Sequence, residues 1–297
     1  MSAILSLDAA KIDVLLPLVY DKKTVKFKSV FIFFTAIILI FLVFVTTIPF
    51  IMFDAATARI FWGANWPFLI ILFLILAGLD FFYFTNRRLF TLLEREDWPA
   101  LVTYLEGKVF RRGQYRSRLV GLLSNTYLVL QDFPAMLRLE NQLAVVKPSL
   151  LEEHALVFGL ARILGKDFTG AARFFKGLSD KAKAVPDRSW IIWFYGFSLF
   201  LSRQMAQAAD QFVLLAKVSG DALPAGLAAF FLADTLQKSL PERREEFLDA
   251  AEAALKRVKK SLPQRAHWEK ERGRLKTEIY TVVISKYLDD AGNWLYA

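Results

Sequence analysis

SVFIFFTAIILIFLVFVTTIPFIMF, residues Ser29–Phe53, and WPFLIILFLILAGLDFFYF, residues Trp66–Phe84, decide the architecture of this 297-residue chain. The first run has no charged residue, and the second has only Asp80. A helix rises about 1.5 Å per residue, so each run can cross a hydrocarbon core about 30 Å thick. We therefore expect two transmembrane helices, at about residues 29–53 and 66–84, joined by a loop over residues 54–65 as an antiparallel hairpin.

Basic residues around these runs predict the orientation of the hairpin. Lysines precede the first run and arginines follow the second, whereas the connecting segment has only Arg59. By the positive-inside rule, we expect both termini in the cytoplasm and the chain in the inner, cytoplasmic membrane. The cations expected at the lipid headgroups are Lys22, Lys23, Lys26, Lys28, Arg87 and Arg88, with Arg111 and Arg112 one helix pair further on.

Asp80 is the one charged side chain within the predicted spans, and it has two interpretations. An intramembrane carboxylate can serve as a proton or ion ligand. It can also lie near the interface and pair with a cation such as Lys26 or Lys28, which is a structural role. The sequence favours the second interpretation, since Arg87 and Arg88 follow within about two helical turns.

The N-terminal segment, residues 1–28, is predicted to contain a short amphipathic helix between Ser6 and Pro17. Apolar and charged residues alternate there with helical spacing. Such a helix would lie on the cytoplasmic leaflet or dock onto the soluble part of the chain. No cleavable signal peptide is recognised, because the first apolar run is too long.

An acidic residue followed by an aromatic one recurs after the hairpin. Asp97-Trp98, Asp132-Phe133 and Asp167-Phe168 are 35 residues apart, and Gln204-Met205 forms a looser fourth copy. Each copy also has positions where the two helices of a pair are expected to approach closely. In the third and fourth copies these positions hold a glycine, followed at a fixed distance by a phenylalanine: Gly159 with Phe175, and Gly196 with Phe212.

This spacing of small and large residues resembles the tetratricopeptide repeat, a unit of about 34 residues that forms two antiparallel helices. The resemblance covers residues 85–216, with a fifth pair from Leu223 to Val258, and it departs from the pattern at Glu140 and Arg162. It implies an all-α protein, in which a two-helix transmembrane hairpin precedes a TPR-like α-solenoid over residues 85–262. Stacked repeats need a covering element, so residues 263–297 are expected to supply a capping helix, Gln264–Asp290, and a tail.

The segment Trp190–Leu201, WIIWFYGFSLFL, is too short to span a membrane. In the repeat register, the groove of the solenoid is expected to be apolar. Its predicted lining is Trp190, Trp193, Phe197 and Phe200, with Asn125, Leu128, Leu156, Leu160 and Ile163 in the preceding repeats. Such a groove suits an amphipathic helix or an apolar strand of a protein partner; alternatively, the chain's own C-terminal segment fills it.

The residues that could carry chemistry are few. The chain has no Cys and two His, and it lacks phosphate-binding glycine loops and protease motifs. Glu152, Glu153 and His154 are adjacent on a predicted helix, so they point in different directions and cannot converge on one metal ion. We expect no enzyme, no metal and no cofactor. A net charge of +9 beside a membrane indicates anionic lipid rather than nucleic acid.

These features predict a non-catalytic scaffold that recruits a protein partner to the membrane as part of a larger assembly. One alternative is an accessory subunit of a membrane transport or secretion complex, contacting that complex through the hairpin. Another is a membrane enzyme that uses Asp80.

Overall fold

The computed structural model describes residues 27–180, 187–275 and 280–297, with only the backbone of residues 27, 28 and 282. The described residues are almost entirely helical and include no β-strand, which confirms the all-α prediction. The chain divides into two compact units between Tyr104 and Leu105. The boundary predicted after residue 84 falls inside a single helix. The predicted amphipathic helix between Ser6 and Pro17 lies outside the described residues.

The first unit contains a hairpin of two long helices, α1 (Phe27–Met52) and α2 (Ala55–Glu94). Asp54 caps α2, because its carboxylate accepts hydrogen bonds from the backbone N–H groups of Ala56 (3.0 Å) and Thr57 (3.3 Å). The helices are antiparallel. Phe31, near the start of α1, stacks on Tyr83 of α2 with ring centroids 3.9 Å apart.

The predicted loop over residues 54–65 is wrong. Residues 55–65 form the first three turns of α2, so Trp62 and Trp66 lie on a helix, and Pro67 lies inside it. The physical reason is Asp54, whose carboxylate satisfies the free N–H groups at a helix start before the predicted one. Helix α2 also continues past Phe84 to Glu94, so the second apolar run and the next predicted helix are one element.

The hairpin exposes its apolar side chains. Both helices are long and apolar enough to cross a membrane, yet no residue in the most apolar stretch of α1 is buried, and only 6% of the corresponding stretch of α2 is. Phe33 is 66% exposed and Phe81 is 74% exposed. A core helix of a soluble protein would bury these rings, because their exposure to water is unfavourable.

The second unit is a succession of helices that begins within α3 (Trp98–Glu106), which crosses the boundary and ends in a π-helical turn, Gly107–Arg111. The following helices are α4 (Ser117–Val129), α5 (Phe133–Val146), α6 (Pro148–Glu153), α7 (Ala155–Leu164), α8 (Phe168–Ser179), α9 (Arg188–Leu201), α10 (Met205–Val218) and α11 (Ala222–Phe230). A π-helical turn, Phe231–Leu236, and short helical turns at Gln237–Ser239 and Pro241–Arg243 lead to α12 (Arg244–Ser261). The chain ends with α13 (Arg265–Arg274) and α14 (Thr281–Leu295).

From α7 to α12, each helix packs on its neighbour in sequence, and α7 also contacts α9, α9 contacts α11, and α10 contacts α12. The same turn joins the paired helices at four places. The residue before each recurring Asp or Gln has a positive φ of 53° to 63°: Glu96, Gln131, Lys166 and Arg203. At each turn, the following N–H donates to the carbonyl five residues earlier, over 2.9–3.1 Å. The recurring Asp residues are helix N-caps, since Asp132 accepts from the N–H of Ala135 and Asp167 from that of Gly170.

The expected close approaches within helix pairs are present. An added Cβ at Gly159 would lie 2.0 Å from Cζ of Phe175, and one at Gly196 would lie 3.1 Å from Cε1 of Phe212. Both phenylalanines are fully buried. Glycine at these positions therefore allows the phenylalanine of the second helix to pack directly against the backbone of the first.

The single capping helix predicted over Gln264–Asp290 is replaced by two helices, α13 and α14. Trp268 of α13 is 1% exposed and donates a hydrogen bond from Nε1 to the carbonyl of Leu288 over 3.2 Å. Its ring lies between Gly226 of α11 and Gly292 of α14, where an added Cβ would approach it within 2.7–2.8 Å. Trp268 thus packs the two C-terminal helices against α11.

Candidate interaction surfaces

An aromatic cluster joins α9, α10 and the π-helical turn after α11. Trp193 stacks on Phe197 with ring centroids 4.9 Å apart and meets Phe231 edge-on at 5.8 Å. Phe212 of α10 packs on Phe231 at 5.2 Å. The side chain of Trp193 is fully buried, and its Nε1 has no hydrogen-bond partner among the described residues. The cluster is therefore a hydrophobic core rather than an open surface.

Helix α14 covers this cluster. Tyr280 lies 5.4 Å from Trp190 and 5.9 Å from Phe194, while Tyr287 lies 5.5 Å from Phe197 between ring centroids. Burial raises the pKa of Tyr287. Of the two interpretations left open by the sequence, the structure supports the one in which the chain's own C-terminal segment fills the apolar groove.

Most of the predicted groove residues are buried and therefore inaccessible to a partner, and this correction applies to seven of them. Trp190, Trp193, Phe197, Leu128, Leu156, Leu160 and Ile163 are all 8% exposed or less. The prediction was wrong because helical spacing identifies an apolar face but not the element that covers it. Phe200 is half-buried, and Asn125 is exposed on α4.

The two departures from the repeat pattern, Glu140 and Arg162, contact each other. Nη2 of Arg162 donates to Oε1 of Glu140 over 2.8 Å, and Nη1 donates to Oδ2 of Asp167 over 3.2 Å. The guanidinium also lies 5.7 Å from the ring centroid of Phe174. The Glu140 side chain is only 11% exposed, so the ion pair is required to hold this carboxylate between α5 and α7.

Within the hairpin, Asp80 is half-buried on α2 and has no hydrogen bond or ion pair with any described residue. Lys22, Lys23 and Lys26 lie outside the described residues, as does the side chain of Lys28, so a pair with Lys26 or Lys28 stays a prediction. Arg87 and Arg88 are exposed on α2, and Arg88 lies 5.5 Å from the ring centroid of Tyr104.

A notch lined mainly by apolar side chains lies on the hairpin between Pro49 of α1 and Trp62 of α2. Its volume is about 290 Å³, and Val45, Asn65 and Phe68 also line it. Nε1 of Trp62 is buried without a hydrogen-bond partner in the described part of the chain. Pro49 lacks an N–H, so the carbonyl of Val45 loses its usual helical donor. The notch thus holds the unpaired donor of Trp62 and is lined by Val45, whose carbonyl has no donor at residue 49.

Hydrogen-bonding side chains also connect helices α4 and α6. Oγ of Ser117 donates to Oε1 of Glu153 over 2.5 Å and lies 3.2 Å from Nε2 of His154. The carboxylate contacts the hydroxyl rather than the imidazole, so it does not orient the ring as the acid of a catalytic triad does. In the described ranges, no three His, Asp or Glu side chains come together in a group that could hold a metal ion.

Comparison with known proteins places the chain in a family. Residues 135–297 match the family described as "Uncharacterised Treponema protein". Because the match covers more than half of the chain, the protein belongs to this family. The chain is also similar to an "Uncharacterized protein" of Treponema pallidum (strain Nichols), with 27% identity over 237 residues, covering 77% of this chain and 74% of that protein. No solved structure matches the chain.

Proposed function

We propose that the protein is a membrane-anchored, non-catalytic scaffold. In this proposal, α1 and α2 cross the inner membrane, both termini are cytoplasmic, and the helical unit after residue 104 binds a protein partner. The observation that carries the anchor is the exposure of the apolar hairpin, since only lipid or another protein makes such a surface stable.

The helical unit is proposed to be a TPR-like solenoid. Its support is the turn at Gln131, Lys166 and Arg203, which has one geometry at the spacing of the sequence repeat and also follows α2 at Glu96. Stacked helix pairs of this kind present extended surfaces to partners. Since α14 covers the aromatic cluster, the partner is proposed to bind at surfaces that remain open, including the face of α4 that carries Asn125.

The alternative is an accessory subunit that contacts a transport or secretion complex through the hairpin. Two observations favour it. Asp80 and the Nε1 group of Trp62 both lack polar partners within the described residues. Polar groups in an apolar phase are stabilised by partners on a neighbouring helix.

Photo-crosslinking in native membrane separates the two functions. One variant carries a photoreactive residue at Asn125, and the matched variant carries it at Phe33, which is exposed on α1. A specific protein adduct from Asn125 alone is the result expected of the scaffold. An adduct from Phe33 alone would favour the accessory subunit. The absence of any adduct, both from these two positions and from the exposed residues around them, would contradict both functions.

A further inference from the structure

Residues 107–131 form a one-sided charged segment of the second unit. They contain five basic residues and no acidic residue. Arg111, Arg112, Arg116 and Arg118 are exposed, and none forms an ion pair with a described residue. Some arginines of the unit do have acidic partners, as Arg243 does with Asp210 (2.9 Å) and Arg265 with Glu269 (3.0 Å).

The backbone around these arginines has a defined shape. The π-helical turn Gly107–Arg111 is followed by Gly113, whose φ of +60° reverses the chain, and the N–H of Gln114 donates to the carbonyl of Lys108 over 3.1 Å. Glycine makes this reversal without the steric cost that a Cβ adds at positive φ.

Tyr115 connects the segment to α5 and to Lys147, the residue directly after α5, by hydrogen bonds. Its hydroxyl accepts a hydrogen bond from Nε2 of Gln142, and its carbonyl accepts one from Nζ of Lys147, both over 3.2 Å. The arginines are therefore carried on a segment that is bonded at Tyr115 to α5 and Lys147 rather than on a free tail. A nearby acid, Glu153, already accepts a hydrogen bond from Ser117.

We infer that this segment, Lys108–Arg118, is a second membrane contact that binds the phosphate groups of anionic lipids. The inference rests on the proposed anchoring by the hairpin. Guanidinium groups are well suited to phosphate oxygens, which they bind with two parallel hydrogen bonds. In the sequence, the aromatic residues Phe110 and Tyr115 alternate with the basic residues. This composition suits the interface between headgroups and hydrocarbon. The segment also begins 14 residues after Glu94, the end of α2.

The test uses the full chain in lipid nanodiscs. The chain has no Cys, so Gln114→Cys gives one site for a fluorophore, and headgroup-labelled lipid serves as the quencher. Discs of phosphatidylcholine alone are compared with discs that also contain phosphatidylglycerol. We expect quenching in the anionic discs, little in the neutral discs, and loss of quenching at high salt.

The charge variant is Arg111→Gln with Arg112→Gln. Each arginine near an anionic surface contributes about a fivefold preference for the bound state, so the double change should reduce the docked-to-free ratio about 25-fold. The matched control is Arg265→Gln with Arg274→Gln, which removes the same net charge from exposed side chains of α13. The control should keep the docked-to-free ratio within about twofold of that of the unmodified chain, because these arginines are not in the proposed contact.

The outcomes distinguish this inference from the proposed anchoring. Incorporation is measured separately, by co-elution of the chain with the discs. A chain that co-elutes but is quenched equally in both lipid mixtures would overturn the lipid contact and leave the anchor intact. Equal loss of quenching in the charge variant and the control would also overturn it. A chain that does not enter the discs at all would overturn the anchor and the inference together.

Discussion

At the scale of single residues, the packing of the helix pairs depends on glycines that face phenylalanines. Phe175 occupies the space that a side chain at residue 159 would need, and a Cβ at residue 196 would lie 3.1 Å from Phe212. The sequence predicted these contacts correctly, because a small residue and a large one recur at a fixed spacing. It did not show that the recurring Asp residues cap helices, or that a residue with positive φ precedes each of them.

Replacing Gly159 with Ala should destabilise the protein by about 2 kcal/mol, since its Cβ would collide with the buried ring of Phe175. The control is Gly177→Ala in α8, where an added Cβ meets no atom within 4 Å. That change should stabilise the protein by about 0.5–1 kcal/mol, because Ala favours the helix more than Gly does. Urea unfolding of the full chain in detergent measures both. The account of the packing is wrong if the two changes shift stability in the same direction.

The ion pair between Glu140 and Arg162 gives a second prediction. Arg162→Leu should cost about 1–3 kcal/mol, because it leaves the largely buried Glu140 carboxylate without its partner. The double variant Glu140→Leu, Arg162→Leu should recover most of this loss, since large apolar residues are usual at both positions of the repeat. A double-mutant cycle, measured by urea unfolding, reports the coupling. Additive losses from the two single changes would show that the pair does not act as one interaction.

At the scale of elements, the sequence predicted the number and order of the paired helices better than their ends. Because Asp54 caps it, α2 starts eleven residues earlier than the apolar run at Trp66 suggested. The C-terminal helices were expected as one, and the aromatic groove was expected to be open. In each case, the deciding contact joins residues far apart in sequence, such as Tyr287 with Phe197, and helical periodicity does not encode such contacts.

The continuity of α2 is measurable as a distance within the first unit. Spin labels on Arg59→Cys and Glu94→Cys would be separated by 35 helical steps. An unbroken helix predicts about 52 Å between the two backbone positions. Electron paramagnetic resonance in nanodiscs measures this separation. A distance shorter by about 10 Å or more, well beyond what label flexibility explains, would show a break between the apolar part of α2 and residues 86–94.

At the scale of the whole molecule, the chain combines a hairpin with exposed apolar side chains and a helical unit that buries its aromatic cluster beneath its own C-terminal helix. The two parts differ in how their apolar side chains avoid water. The hairpin leaves its apolar surface exposed to the surroundings, whereas the helical unit covers its aromatic cluster with its own helix. The sequence predicted the first half from apolar run length alone. Function depends on where these surfaces lie, which makes the placement of the hairpin in the membrane the central claim.

Cysteine labelling in spheroplasts tests this claim most directly, because the chain has no Cys of its own. Ala55→Cys lies at the turn of the hairpin, and Glu245→Cys lies in α12 of the helical unit. A membrane-impermeant maleimide should label residue 55 in intact spheroplasts and residue 245 only after lysis. Labelling of residue 245 in intact spheroplasts would contradict the proposed orientation. Extraction of the chain by alkaline carbonate, with both residues labelled only after lysis, would contradict the membrane anchor itself.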